Sequence, residues 1–156
     1  MNFRRLIVLG FCLVGMTAHA AQLAVGDAVP ALSLKDQHGK EFDFTNGVRF
    51  LLVVKEMGAA KAANQKLAEQ GAGYLEKNGA AYLMDIHSMP GIARVFALPK
   101  MRKYPQRIVL VEDATTLSAF PARPERVTVL ALTPEGKIRK ISYWDPAQEP
   151  VAGYLN

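Results

Sequence analysis

Phe50-Leu51-Leu52-Val53-Val54 runs directly into Lys55-Glu56-Met57-Gly58-Ala59-Ala60-Lys61, and the reading of this junction decides the fold. A strand with one wet face alternates polar and apolar side chains, whereas five apolar residues in a row predict a strand covered on both faces. This run is therefore expected to be the central strand. Residues 59–78 are rich in Ala, Lys, Gln, Glu and Leu, all good helix formers, with Ala63, Leu67 and Leu75 among the apolar positions. Gly71 and Gly73 weaken the middle of that helix and predict a bend or an end there. Asn78-Gly79 closes it, and Ala81-Tyr82-Leu83-Met84 follows as a short strand. A strand, a helix and a second parallel strand form a unit that crosses over right-handed.

Toward the C-terminus, residues 92–104 carry Ile92, Val95 and Phe96 at helical spacing, with Lys100, Arg102 and Lys103 in the last turn, where cations complement the helix dipole. Pro99 inside this segment predicts a kink or a split. Residues 107–111 read as a strand, 115–120 as a short helix or turn, and 127–132 as another strand. Thr133-Pro134-Glu135-Gly136 then turns the chain into residues 137–144, so the last two strands form a hairpin. The tail from Pro146 is short for a closing helix. Toward the N-terminus, residues 29–34 alternate, Asp36-Gln37-His38-Gly39 supplies turn chemistry, and residues 41–44 alternate again, which predicts an N-terminal β-hairpin extension. The whole is an α/β sandwich, a central mixed β-sheet flanked by helices.

Arg4 and Arg5 precede an apolar run over residues 6–16, followed by Ala18-His19-Ala20. This is the pattern of a cleavable signal peptide over residues 1–20, and the run is too short to span a bilayer as a helix. The expected mature protein is one domain over residues 21–156, placed in the periplasm with no stable membrane insertion after signal cleavage. The single cysteine, Cys12, lies inside the signal segment, so the mature chain has no thiol. The formal net charge is +5, two of it from Arg4 and Arg5, and the remaining cations are scattered. Nucleic acid is not an expected partner, and nothing in the sequence sets an oligomeric state.

From Val25-Gly26-Asp27-Ala28-Val29-Pro30, then Leu34-Lys35-Asp36-Gln37-His38-Gly39-Lys40, through the junction above to Tyr104-Pro105 and Thr133-Pro134-Glu135-Gly136-Lys137-Ile138, the chain resembles the thioredoxin-like superfamily of exported thiol reductases and peroxiredoxin relatives. Where that family carries Trp-Cys-Gly-Pro-Cys-Lys, this chain has Glu56-Met57-Gly58-Ala59-Ala60-Lys61. Met57 and Ala60 replace both cysteines. The family also holds a cis-proline at the start of the penultimate strand, the position of Arg126 or Val127 here, while this chain has Pro124. Within the superfamily it looks similar to the YtfJ-like periplasmic proteins, a branch without the cysteine pair, notably from Met89-Pro90-Gly91 to Lys103-Tyr104-Pro105. The resemblance implies a thioredoxin-like sandwich with a degenerate site at Met57, Gly58, Ala59, Ala60 and Lys61. Groove candidates beside it are Glu56, Tyr104, Arg126 and Val127.

A thiolate is both nucleophile and leaving group near neutral pH, and a thioether is neither, so dithiol oxidoreductase and cysteine peroxidase chemistry are excluded for the mature chain. No Gly-x-Ser-x-Gly elbow is present, and no cofactor is implied. The expectation is a non-catalytic binding or accessory module for a periplasmic protein or peptide. A second expectation comes from Met84, His87 and Met89 at the end of a strand, since thioether and imidazole suit copper.

Overall fold

The computed structural model describes residues 21–156; the signal-peptide expectation for residues 1–20, with Cys12, lies outside the described residues. The elements in chain order are β1 (Lys35–Asp36), β2 (Phe50–Val54), α1 (Met57–Glu69), α2 (Tyr74–Lys77), β3 (Ala80–Asp85), α3 (Gly91–Met101), β4 (Val109–Val111), β5 (Val127–Leu132) and β6 (Ile138–Trp144), followed by a 3₁₀ turn, Val151–Tyr154. The six strands form one mixed sheet in the order β1-β4-β3-β2-β5-β6. β2 is parallel to β3, and β3 to β4, while β5 runs antiparallel to β2 and β6 antiparallel to β5.

β2 is interior, as its uninterrupted apolar run predicts, and the period of two sorts its side chains between two cores. Phe50, Leu52 and Val54 face a cluster with Tyr82, Met84 and Trp144, which α1 covers through Ala59, Ala60, Ala63 and Leu67 and α3 through Met101. Leu51 and Val53 face a second cluster with Leu83, Val109, Leu117 and Phe120. No helix covers that second face among the described residues. The extended N-terminal segment lies over it instead, packing Leu23, Val29, Leu32, Leu34, Phe42 and Phe44 against the cluster.

The N-terminal hairpin is present as a short extension. Its turn forms at residues 36–40, and its arms meet through the Lys35–Glu41 bridge and through bonds from Asp36 N–H to the Lys40 carbonyl and from Phe42 N–H to the Leu34 carbonyl. Pro30 has no N–H to give a ladder, and the arms' apolar side chains are drawn onto the sheet. What remains is β1, which pairs with β4 at the sheet edge. The helical stretch over residues 59–78 ends at its glycines as expected and forms two helices, because Gly71 and Gly73 adopt φ of 81° and 76°, the left-handed region that ends a helix. Pro99 does not split α3, which continues to Met101. Pro99 has no N–H to donate to the carbonyl of Val95 one turn earlier, and Val95 lies on the exposed side of the helix. The tail closes the first core with one 3₁₀ turn, burying Val151 and Leu155, while Trp144 Nε1 donates to the Glu149 carbonyl at 2.9 Å.

Polar bonds fix the sheet edge. The Asp36 carboxylate accepts the backbone N–H groups of His38 and Lys40 through Oδ1, each at 2.9 Å, and Arg107 Nε through Oδ2 at 2.7 Å. Gln37 reads the backbone across the same edge, donating to the Gln106 carbonyl and accepting from Ile108 N–H.

Two predictions follow from these contacts. Gly79 has φ 63°, and a Cβ there would meet the Gly47 carbonyl oxygen at 2.6 Å. Gly79→Ala is expected to lower the urea midpoint by an amount worth more than about 1 kcal/mol, whereas Gly58→Ala, where a Cβ meets nothing, leaves it unchanged or raised. For Asp36, burial pushes the carboxyl up, but the bonds from Lys40, Arg107 and His38 outweigh it and hold the carboxyl below its ordinary 3.8. A folded value below the unfolded one gives stability that is complete above 3.8 and is lost as pH falls through the folded value. Asp36→Asn is therefore expected to flatten the acid limb of a stability-versus-pH curve and leave its neutral limb parallel to that of the parent chain.

Candidate functional site

In open α/β sheets, ligands bind beyond the carboxyl ends of the parallel strands. In this chain that end gathers the residues following β2 and β3 and those preceding the antiparallel β5. β2 exits through Lys55 and Glu56 into α1, so Met57 and Gly58 open the helix at the surface, Met57 being 54% exposed. Ala59 and Ala60 turn inward and are buried, while Lys61 returns to the surface. The residue that faces outward at the head of α1 is thus a thioether, Met57, while Ala60, three residues on, packs its methyl group into the core.

Glu56 is the residue before α1, yet its side chain does not cap the helix. Its carboxylate instead accepts the backbone N–H of Glu125 at 2.9 Å. Glu125 has φ 58°, the one described non-glycine residue with positive φ, a conformation that L residues adopt at a cost. Next to it, Arg126 pairs with Asp145 at 2.9 Å. Thr128, buried at the start of β5, donates its hydroxyl to the Pro121 carbonyl at 2.7 Å. No peptide bond among the described residues is cis. Pro124 therefore does not reproduce the cis-proline position, and a carboxylate from the α1 side occupies the N–H that this loop turns toward the site.

Lys55 points to the opposite face. Its ammonium group donates to the carbonyls of Leu117 at 2.5 Å and Phe120 at 2.8 Å, which pins the loop that covers the second core. Burial pushes its pKa down, and the nearby Asp85 carboxylate works against that shift. Asp85 also accepts His87 N–H at 3.0 Å and meets His87 Nδ1 at 2.7 Å. A carboxylate offers only acceptors, so the ring nitrogen in this contact is the donor. Arg94 reaches back from α3 to the carbonyls of Ile86, His87 and Met89, fixing the loop after β3.

The residues singled out in the sequence are thus divided by the fold. Glu56, Met57, Gly58 and Arg126 lie at one end of the sheet. Val127 starts β5 with its side chain fully buried, so it offers a partner no side-chain surface. Tyr104 precedes β4 and lines a cleft with His38, Glu76, Pro105 and Arg107. Because β2, β3 and β4 are parallel, that cleft is at the amino end of the sheet, opposite Met57. A single groove running from Met57 to Tyr104 is not formed. The copper expectation is also corrected: Met84 is 2% exposed and packed in the first core, Met89 packs against the same cluster, and His87 faces solvent with Nδ1 held by Asp85. Among the described residues there is also no group of three or more His, Cys, Asp or Glu side chains placed to hold a metal.

Lys55, Asp85 and Glu125 were not anticipated. The signal for the first two was present: a charged residue directly after a doubly buried strand must find partners at the strand's end. Nothing in the sequence marks Glu125 as left-handed.

With this geometry in place, comparison with known proteins agrees with the fold. No family model matches the chain, and no curated protein does. Solved structures do. The thioredoxin domain of a thiol-disulfide oxidoreductase from Bacteroides vulgatus has a TM-score of 0.52 at 18% identity, covering 86% of this chain and 100% of that one. A peroxidoxin from Mycobacterium tuberculosis has 0.55 at 13%, covering 86% and 95%, and a peroxiredoxin-like protein from Aquifex aeolicus has 0.53 at 13%, covering 85% and 82%. At such identities the likeness concerns the fold alone, and the fold is thioredoxin-like.

The bond between the two loops is open to test. Glu56→Ala is expected to cost roughly 1 kcal/mol in urea unfolding through loss of a charge-assisted bond at the surface. Glu125→Gly, which removes the Cβ from a left-handed residue, is expected to be neutral or stabilising by up to about 1 kcal/mol. Equal destabilisation by both would show that Glu125 is unstrained.

Proposed function

We propose that this chain is an exported, periplasmic accessory protein of the thioredoxin-like fold that binds a protein or peptide partner at the surface around Met57 without thiol chemistry. The observation that carries this reading is the replacement of the thiol position by an exposed thioether at the start of α1, with the facing loop fixed by Glu56. A surface that keeps an outward apolar side chain where the fold ordinarily places its reactive atom can grip a partner but cannot exchange electrons with it. Export is supported by the charged and apolar pattern of residues 1–20, and the YtfJ-like branch by the motifs around Pro90 and Tyr104 together with the missing cysteine pair.

The test is capture from the protein's own periplasmic fraction, with the tag at the C-terminus and Met57→Glu run in parallel. The reading expects intact mass to begin at Ala21, and expects one reproducible protein that the parent chain retains and Met57→Glu releases at least about tenfold more readily, in line with the loss of a central contact. A partner held equally by both chains, or an intact mass that retains Cys12, overturns it.

A further inference from the structure

α3 is apolar on both sides. Its inner face packs Ala97, Leu98 and Met101 against the first core, as a surface helix should. Its outer face carries Ile92, Val95 and Phe96, which are 76%, 66% and 66% exposed. The spacing of these three predicts a helix correctly, but the side they mark is the side that faces solvent. A helix at a protein surface normally turns polar residues outward. The same outward stripe continues through Pro99, Lys100 and Lys103, all exposed.

Within the segment that carries this face the charge has one sign, although Glu112 and Asp113 approach it from the strand beside it, lining a cleft with Leu98 and Arg102. From residue 86 to residue 111 the sequence has no Asp or Glu and five cations, Arg94, Lys100, Arg102, Lys103 and Arg107. Arg107 is held by Asp36, Arg102 donates to the Gln37 carbonyl, and Arg94 is held by the loop after β3 and pairs with Glu112 at 3.9 Å. Lys100 and Lys103 enter none of the ion pairs among the described residues. A second copy is a poor occupant, since a two-fold pairing of this face would set the same cationic stripe against itself. The face also projects Ile92, Val95 and Phe96 into solvent, each about two-thirds or more exposed. A fluid surface fits projecting side chains without needing a matching groove, and a negative one complements the lysines.

We propose that the outer face of α3 is a peripheral docking surface for an anionic lipid bilayer. Ile92, Val95 and Phe96 enter the boundary between headgroups and acyl chains, and Lys100 and Lys103 lie over the anionic headgroups. This is the arrangement of an interfacial amphipathic helix, which lies on a membrane and does not span it; no described helix is long and apolar enough to cross one. Lipid attraction to such lysines adds to the apolar contribution and is screened by salt. The surface is separate from Met57, so the two readings stand or fall on different residues.

Sedimentation of the full chain with vesicles tests it, using phosphatidylglycerol mixed with phosphatidylcholine against phosphatidylcholine alone. The expected result is binding to the mixed vesicles that weakens as salt is raised. Binding falls at least about tenfold for the triple variant Ile92→Ser, Val95→Ser and Phe96→Ser, and for the double variant Lys100→Glu and Lys103→Glu, and is unchanged for Met57→Glu. Residues 1–20 are common to every chain compared, so their own lipid affinity does not separate them. Urea midpoints equal to the parent's show that each variant is folded, and a second pair of milder variants, Phe96→Gln and Lys103→Gln, replaces any that is not. Equal binding by parent and variants overturns the proposal, as does equal binding to both vesicle types. A dimer in light scattering that the serine variant dissolves, without vesicle binding, overturns it in favour of a second copy. A protein partner lost with the serine variant, again without vesicle binding, overturns it in favour of a protein surface.

Discussion

Every layer of this molecule is built against β2, whose five side chains are all buried. A strand dry on both faces needs two separate covers, and each large side chain so buried contributes about 1.5–3 kcal/mol through the hydrophobic effect. One cover is ordinary for the fold: α1 and α3 supply small and flexible apolar residues that let the helices lie close to the sheet. The other is extended chain, the N-terminal segment and the loop carrying Leu117 and Phe120. Extended chain has no internal ladder to satisfy its backbone, so it must be tied down by side chains. Lys55 and Asp36 perform that task at opposite ends of the sheet.

The same constraint explains how the loops at the carboxyl end of the sheet stay ordered. Those loops are joined by single polar contacts: Glu56 to Glu125, Arg126 to Asp145, Asp85 to His87, and Arg94 to three carbonyls. Each is individually modest because most lie near water, where ion pairs and hydrogen bonds contribute little. Together they leave Met57 as the outward apolar feature at the head of α1. The loop before β5 keeps a left-handed residue at Glu125, and such strain persists only where surrounding contacts hold it in place.

α3 shows the cost of reading periodicity alone. Ile92, Val95 and Phe96 have the spacing of a helix, and a helix is what they form. Spacing says that three residues share a face, but which face is buried depends on what else the chain brings to the sheet. Here Ala97, Leu98 and Met101 pack against the first core, so the bulkier stripe is left outside. A similar competition decided the N-terminal segment, where the hairpin stays short because its apolar residues also serve as a cover for the sheet.

By itself the sequence determined that β2 is central, that β2 and β3 are parallel across a helix, and that β5 and β6 form a hairpin. These rest on short-range chemistry: continuous apolar runs, good helix formers and a tight turn with Gly136 at φ 77°. It also determined that residues 57–60 carry no thiol. Only the tertiary structure decided that Glu56 reaches the Glu125 backbone, that Met84 is core, that Tyr104 stands at the far end of the sheet from Met57, and that α3 turns an apolar face outward. Each of these depends on where residues distant in sequence are brought together, and a one-dimensional pattern of polar and apolar positions holds no term for that.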